Sequence, residues 1–141
     1  MINAFLKDIN IPRFVIAVFV MFIFIFVTDF VLHGMFLKAE YEATAAIWRP
    51  EAEMQKYFLF MLLGQMIIAK YFTFLFIKGY EGTGIMEGVR FGLLIGILFI
   101  GTYLIQFAVS PITVKILVGW CVGSLVQGIL GGMLLTVVYK R

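Results

Sequence analysis

Four long apolar segments, separated by short polar stretches, dominate the chain. They run from about 14 to 36, 57 to 77, 88 to 109 and 114 to 139, and each reaches the roughly 20 residues that a helix needs to cross a bilayer. No segment alternates apolar and polar residues as barrel strands do, and only helices and closed barrels span membranes. The pattern therefore predicts an all-α, four-helix transmembrane bundle, with residues 1–141 forming a single integral membrane domain.

The polar stretches predict how these spans are joined. The first 11 residues space their apolar side chains as in a short helix that lies in the membrane interface. The connection from 37 to 56 is the only long one, and its charged residues predict an amphipathic outer loop, with Pro50 starting a new helix. A glycine turn at 80–84 and a tight reversal at Ser110–Pro111 join the remaining spans.

Composition supports the membrane assignment and excludes other classes. Hydrophobic residues make up 63% of the chain and charged residues 13%, about half the charged fraction of a soluble domain. These values exclude a water-soluble enzyme, an exposed nucleic-acid binder and a disordered chain. The formal net charge of +3 does not indicate nucleic acid, because most lysines and arginines flank apolar segments, where they anchor helices in the lipid bilayer.

The distribution of basic residues predicts the orientation of the bundle. Cytoplasmic loops carry an excess of Lys and Arg. The side that holds both termini has six such residues, and the opposite side has four: respectively Lys7, Arg13, Lys78, Arg90, Lys140 and Arg141, and Lys38, Arg49, Lys56 and Lys115. Both termini are therefore predicted to be cytoplasmic.

Asp29 and His33 are the strongest candidates for a functional site. They are four residues apart on one predicted helix, so their side chains share a face. At 1.5 Å per residue Asp29 is expected roughly 10 Å below the outer surface, where an ionisable group is costly and often functional. The functional alternatives are a proton relay, a metal-ligand pair or a polar docking point. The structural alternative is that Asp29 accepts hydrogen bonds from His33 and the loop above it. One His and one Asp are too few for a typical metal site within one chain, so metal binding stays open.

Other polar side chains extend this picture. Lys70 lies near the middle of the second span and is expected to pair with a carbonyl or with Gln127, or to extend along the surface towards the inner headgroups. Gln65 and Gln106 are predicted in the outer halves of their helices. The two glutamines form a candidate outer polar pocket with four other residues: Asp29, His33, Trp48 and Arg49.

Glycines recur at helical spacing in the last two spans. Small residues every four positions allow close approach of helix backbones in lipid. The third and fourth helices are therefore predicted to pack on each other, or one set is predicted to form an oligomer interface. The residues are Gly88, Gly92 and Gly96 in the third span, and Gly119, Gly123, Gly128 and Gly132 in the fourth, with Ser124 beside them.

A longer pattern resembles a known group of proteins. The run Thr28–Gly34 is followed by Tyr41, Thr44 and Trp48-Arg49-Pro50, and the likeness extends through Gly64-Gln65 and Glu87–Gly92. This pattern resembles a family of small bacterial four-helix integral membrane proteins of unknown function. The resemblance implies a bacterial inner membrane and no particular activity. It places four candidate residues in the recognisable part: Asp29, His33, Trp48 and Arg49.

The function predicted from these observations is non-enzymatic. The sequence has no phosphate-binding glycine loop, no Cys-x-x-Cys, no nucleophile elbow and no zinc-protease His pair, and no cofactor is predicted. We expect a small accessory or scaffold subunit that packs against other membrane chains or forms a homo-oligomer. The alternatives are a small oligomeric transporter or channel that uses Asp29, His33 and Lys70, and a membrane enzyme or metal-binding protein with a site at Asp29 and His33.

Overall fold

The computed structural model describes residues 9–140, and this part of the chain is an all-α bundle with no strand. It contains four helices long and apolar enough to cross a membrane, with helical stretches of 26, 34, 25 and 25 residues. The protein is therefore an integral membrane protein. The membrane-spanning helices are α1 (Ile11–Asp29), which continues as a π-helix (Phe30–Phe36), α4 (Phe58–Lys78), α5 (Ile85–Val109) and α6 (Val114–Val138).

The long connection between α1 and α4 is built from short helical pieces. It contains α2 (Lys38–Ala43), a 3₁₀ turn (Ala45–Ile47), α3 (Glu51–Met54) and a second 3₁₀ turn (Gln55–Tyr57). We call the side of the bundle that carries this connection the loop side, and the opposite side, where α1 begins and α6 ends, the terminal side. The predicted interfacial helix over residues 1–11 falls almost entirely outside the described residues.

Side chains at the ends of α1 and α6 account for where these helices begin. The Asn10 side chain accepts a hydrogen bond from the backbone N–H of Arg13, at 3.2 Å. Thr113 does the same for the N–H of Ile116, also at 3.2 Å. Each cap satisfies one of the backbone donors that a helix leaves free in its first turn.

A buried carboxylate organises the turn between α4 and α5. Glu87 accepts hydrogen bonds from the backbone N–H groups of Glu81, at 2.7 Å, and Thr83, at 2.9 Å. Gly82 and Gly84 have φ angles of 75° and 92°, in a region that favours glycine because a side chain would clash there. The predicted glycine turn is thus held in shape from the first turn of α5.

Helices α5 and α6 form the closest contact in the bundle. Their glycines meet face to face, so that a Cβ added at Gly92 would overlap the backbone carbonyl of Gly128. A Cβ at Gly96 would lie only 2.9 Å from the carbonyl oxygen of Ser124. This interface, which we call the glycine interface, pairs Gly88 with Gly132, Gly92 with Gly128 and Gly96 with Ser124.

The other glycines of α6 face α1 instead of α5. A Cβ on Gly119 would lie 2.7 Å from the Leu37 side chain, and one on Gly123 would overlap the side chain of Leu32. The expectation that Gly119 and Gly123 take part in the contact between the last two spans is therefore wrong. Helix α6 carries two small-residue faces, and each one accommodates a different neighbour inside the same chain.

Helix α4 packs mainly against α1. The terminal side of the bundle is packed more closely than the loop side. On the terminal side α1, α4 and α6 enclose an apolar core: Ala17, Met21, Ile25, Ala69, Phe72, Phe76, Ile77, Leu135 and Tyr139. On the loop side the first turns of α4 are open, with Leu59 63% and Phe60 69% exposed. The loop-side half therefore has room for a groove beside the long connection.

Candidate functional site

Asp29 joins three membrane-spanning helices. It is the last residue of α1 before the π-helix, and both of its carboxylate oxygens accept hydrogen bonds from glutamines. Gln65 of α4 donates through Nε2 to Oδ2 at 2.7 Å, and Gln127 of α6 donates through Nε2 to Oδ1 at 2.8 Å. We call this arrangement the Asp29 clasp. Hydrogen bonds to an ionised acceptor are stronger than those between neutral groups, so the clasp ties α4 and α6 to α1.

The clasp lies well inside the helical bundle. Gln127 is the fourteenth of the 25 residues of α6, which places it about 20 Å from the loop-side end of that helix at 1.5 Å per residue. Asp29 lies beside it and is seven residues from the end of the π-helix at Phe36. Helix α6 extends beyond the π-helix on the loop side, because Gly119, its sixth residue, already contacts Leu37.

The two glutamines are satisfied to different degrees. Gln127 uses its second amide hydrogen to reach Thr28 Oγ1 at 2.6 Å, and Thr28 in turn donates to the carbonyl of Phe24 at 2.8 Å. Gln65 is only 7% exposed, and its Oε1 atom has no hydrogen-bond partner among the described residues. A buried amide oxygen without a partner costs free energy, so Gln65 is the member of the clasp whose hydrogen bonds are incomplete.

A π-helix separates the clasp from the loop side. It closes with a bond from the N–H of Leu37 to the carbonyl of Leu32 at 2.9 Å, which spans five residues instead of four. π-Helical turns are rare and occur often at functional sites. His33 lies within this segment, but it does not hydrogen-bond to Asp29, so the expected bond between the two residues is wrong.

His33 instead begins a chain of hydrogen bonds on the loop side. Its Nδ1 atom lies 2.6 Å from the hydroxyl of Tyr41 in α2, and the indole N–H of Trp120 in α6 donates to the same hydroxyl at 2.7 Å. Trp48 packs edge-on against Tyr41, with ring centroids 5.2 Å apart. It also donates through its indole N–H to Thr44 Oγ1 at 2.9 Å.

These residues line a groove of about 940 Å³ that is bounded by the π-helix, the long connection and α6. We call it the loop-side groove. Burial raises the pKa of the Tyr41 hydroxyl, the hydrogen bond from Trp120 lowers it, and the negative charge of Asp29 raises it further. The field of the clasp therefore reaches the wall of the groove, even though Asp29 itself does not line it.

Most of the predicted polar residues come together here, but not all of them. Asp29 and Gln65 are in direct contact. His33, Trp48 and Arg49 line the loop-side groove, where the Arg49 guanidinium lies 4.1 Å from the centroid of the Tyr57 ring.

Gln106 does not belong to the pocket, and its predicted place there is wrong. It is exposed and donates to the Ser110 hydroxyl at 2.6 Å. Three residues that do contribute were not assigned to this site from the sequence: Thr28, Gln127 and Trp120. The sequence does show that Gln127 is a polar residue at the centre of an apolar helix. It does not show which neighbouring helix the side chain faces.

Lys70 lies apart from the clasp. It is five residues beyond Gln65 on α4, so the two side chains point about 140° apart around the helix axis. Lys70 is exposed, and its Nζ atom lies 5.4 Å from the centroid of the Tyr71 ring. The expected pairing with Gln127 is wrong, because Gln127 bonds to Thr28 and Asp29. A path through Asp29 and His33 would therefore not include Lys70.

The site and the fold define a small helical integral membrane protein with a polar centre. Within residues 9–140 no three His, Cys, Asp or Glu side chains come together as a metal site would require. No family model, curated protein or solved structure matches the chain. The resemblance to small bacterial membrane proteins of unknown function thus stays a prediction.

Proposed function

We propose that the protein is a small, non-enzymatic accessory subunit that packs against another membrane chain through α4. The observation that carries the proposal is Lys70, a cation on the exposed surface of a membrane-spanning helix. Ionisable groups at membrane depth usually face a bundle interior, a cavity or a partner. Lys70 faces outward, so the partner has to come from outside the chain.

The depth of Lys70 prevents easy escape to the headgroups. It precedes Lys78, the last residue of α4, by eight residues, which is about 12 Å along the helix axis. A lysine side chain extends roughly 6 Å from its Cα, so extension along the helix surface leaves the ammonium inside the hydrocarbon. The Tyr71 ring gives it only a distant aromatic contact.

No anion within residues 9–140 pairs with this charge. The ion pairs among the described residues are Lys38–Glu42, Arg90–Glu81 and Lys115–Glu40. Lys70 takes part in none of them. An unpaired ammonium at this depth costs several kcal/mol by the insertion scales, about 2.5 to 3.5 at a helix centre, and a carboxylate on a partner would remove that cost.

Within residues 9–140, a second copy of the chain offers no free carboxylate at the depth of Lys70. Asp29 points into its own bundle and is held by two glutamines. Glu87 is buried in the turn that it caps. The other carboxylates of residues 9–140 lie outside the apolar helices. We therefore propose as the partner a different membrane chain that presents an Asp or Glu at the depth of Lys70.

The rest of the interface follows from the surface around Lys70. Leu63 and Ile67, on the same face of α4, are 51% and 57% exposed. The glycine interface is already used within the chain, so the partner would meet bulky apolar side chains and one charge. Van der Waals packing and a charge-assisted hydrogen bond would then supply the affinity, because lipid tails remove most of the hydrophobic drive between helices.

Native mass spectrometry of the protein extracted from its own membrane in mild detergent tests the proposal. We expect the wild-type chain to carry a second polypeptide, and Lys70→Met to lose it. Lys56→Met, which removes a lysine from the long connection, is the matched control and should keep the partner. Because Lys70 makes no polar bond within the described residues, its replacement should not unfold the chain. A clean homo-oligomer, or a partner retained by Lys70→Met, would refute the proposal.

The cellular setting belongs to the same proposal. The resemblance described above implies a bacterial inner membrane, and the excess of Lys and Arg on the terminal side favours cytoplasmic termini. In that orientation Lys70 lies in the cytoplasmic half of the bilayer and the loop-side groove opens towards the opposite surface.

A further inference from the structure

We propose that the loop-side groove binds a neutral, lipid-soluble ring that carries carbonyl oxygens, which is the chemistry of the quinone class. This inference is independent of the partner proposed for α4, because the groove and Lys70 lie on different parts of the molecule. The volume of about 940 Å³ falls within the range of small-molecule sites. Three features of the groove select the ligand: its hydrogen-bond donor, its walls and its charge balance.

His33 provides the donor. The indole N–H of Trp120 can only donate, so the Tyr41 hydroxyl accepts that bond. Among the described residues the one remaining neighbour for the proton of Tyr41 is His33 Nδ1, at 2.6 Å. The arrangement that uses every polar hydrogen therefore has Nδ1 as acceptor and the imidazole proton on Nε2. Nε2 has no partner within residues 9–140, and His33 lines the groove, so this N–H is available to a ligand oxygen.

The chain from Trp120 through Tyr41 to His33 strengthens that donor. Hydrogen bonds in series polarise one another, particularly where the surroundings are apolar. The bond to Tyr41 also fixes the orientation of the imidazole. The two rings lie nearly parallel, at an interplanar angle of 19°. A fixed donor loses little freedom on binding, which favours a rigid acceptor such as a ring carbonyl.

The walls of the groove suit a flat apolar ring. Trp48 and Trp120 contact each other edge-on, with centroids 6.4 Å apart, and the Tyr41 ring packs edge-on against Trp48. Phe30, also in the lining, is 63% exposed. Aromatic side chains bind ring systems through stacked and edge-on contacts.

The charge balance of the lining favours a neutral head. The lining carries two cations and two anions: Lys38, Arg49, Glu42 and Glu51. Lys38 and Glu42 pair with each other at 3.9 Å, and Arg49 covers Tyr57. The lining therefore has no excess of positive charge to hold a phosphate or carboxylate head. A neutral carbonyl needs only the N–H of His33.

Intrinsic fluorescence gives a direct test, because the chain has two tryptophans and both line the groove. The wild-type protein in phosphatidylcholine nanodiscs is titrated with decylubiquinone and, in parallel, with decylbenzene, which has the same tail and no carbonyl. We expect saturable quenching by decylubiquinone and at least tenfold weaker binding of decylbenzene, which is measured by its competition with the quinone. Quenching that rises in proportion to membrane quinone without saturating, or equal binding of the two compounds, would overturn the proposal.

Variants test the assigned donor. His33→Leu should weaken decylubiquinone binding at least tenfold, and His33→Gln, which keeps an N–H donor, should remain within about threefold of wild type. Lys70→Met lies outside the groove and should bind like wild type. Equal affinity for His33→Leu and wild type would overturn the role of His33. The wild-type comparison of the two compounds decides the ligand class even if His33→Leu fails to fold.

Discussion

Replacing Asp29 with Leu removes the acceptor at the centre of the clasp, whereas replacing it with Asn removes only the charge and keeps a side chain of similar shape. In the Leu variant the amides of Gln65 and Gln127 both lose their acceptor. In the Asn variant one oxygen remains, and the new amide group faces a donor. Gln65 can rotate its amide to accept from that group, because its Oε1 has no other partner among the described residues. Gln127 is less free to do so, since it also bonds to Thr28.

The contacts set the size of the two effects. A hydrogen bond to a charged group contributes about 1.5 to 3 kcal/mol net, and a neutral one about 1. Interhelical hydrogen bonds in membranes fall at the low end, about 0.6 kcal/mol on average. Asp29→Leu removes two charge-assisted bonds and leaves each glutamine with a donor that has lost its acceptor, so we expect a loss of about 3 kcal/mol. Asp29→Asn replaces them with neutral bonds, and we expect about 1 kcal/mol.

Thermal unfolding in mild detergent, followed by the fraction that remains monodisperse on size exclusion, measures the difference. At about 2 to 4 °C per kcal/mol, Asp29→Leu should lower the midpoint by about 10 °C and Asp29→Asn by about 3 °C. Glu42→Gln, at an exposed carboxylate of the long connection, controls for the loss of a negative charge. Equal midpoints for wild type and Asp29→Leu would show that the clasp does not hold the helices together.

Three further predictions follow from the packing, the turn and the charge distribution. Gly92→Ala adds a Cβ that overlaps the backbone of Gly128, so α5 and α6 must separate, and we expect loss of monodisperse elution; Gly101→Ala, with no atom within 4 Å of its added Cβ, should elute like wild type. Glu87→Gln weakens two charge-assisted bonds to the preceding turn and should cost about 1 to 3 kcal/mol by thermal unfolding. The exposed Glu81→Gln should cost under about 1 kcal/mol, and equal losses would contradict the capping role of the buried carboxylate. A C-terminal fusion should be fluorescent with green fluorescent protein and inactive with alkaline phosphatase, and active phosphatase would reverse the orientation.

The helices themselves could be predicted from the sequence because length and composition decide them. A run of some 20 apolar residues has no alternative to a membrane-spanning helix once water is excluded. Pro50 and the glycines of 79–84 mark turns for reasons local to the backbone, and the structure places the turns there. The π-helix after Asp29 has no comparable local signal, since Phe30–Phe36 reads as ordinary apolar helix.

The sequence does not show which face of each helix is turned towards its neighbours. A soluble helix shows its buried face as an apolar stripe, but helices that are apolar all round carry no such stripe. Gln65 could be grouped with Asp29 from depth alone, whereas Gln106, which looked equivalent, points away and bonds to Ser110. The same uncertainty led to the wrong pairing of Gln127 with Lys70. It also assigned Gly119 to the wrong neighbour, because small residues lie on two faces of α6.

The two charges within the bilayer determine what the surface of the protein can recognise. The carboxylate of Asp29 is hydrogen-bonded by amides of its own chain, and the glycine interface is closed between α5 and α6. Neither is available to another protein. Most of the remaining exposed surface of the membrane-spanning helices is apolar, and lipid tails match it well, so apolar contact does little to select a partner. Lys70 is the exception on α4, and under the proposed function its depth sets where the partner carries a carboxylate. A membrane helix without an acidic residue at that depth would have only van der Waals packing on α4, and would leave the ammonium of Lys70 unpaired.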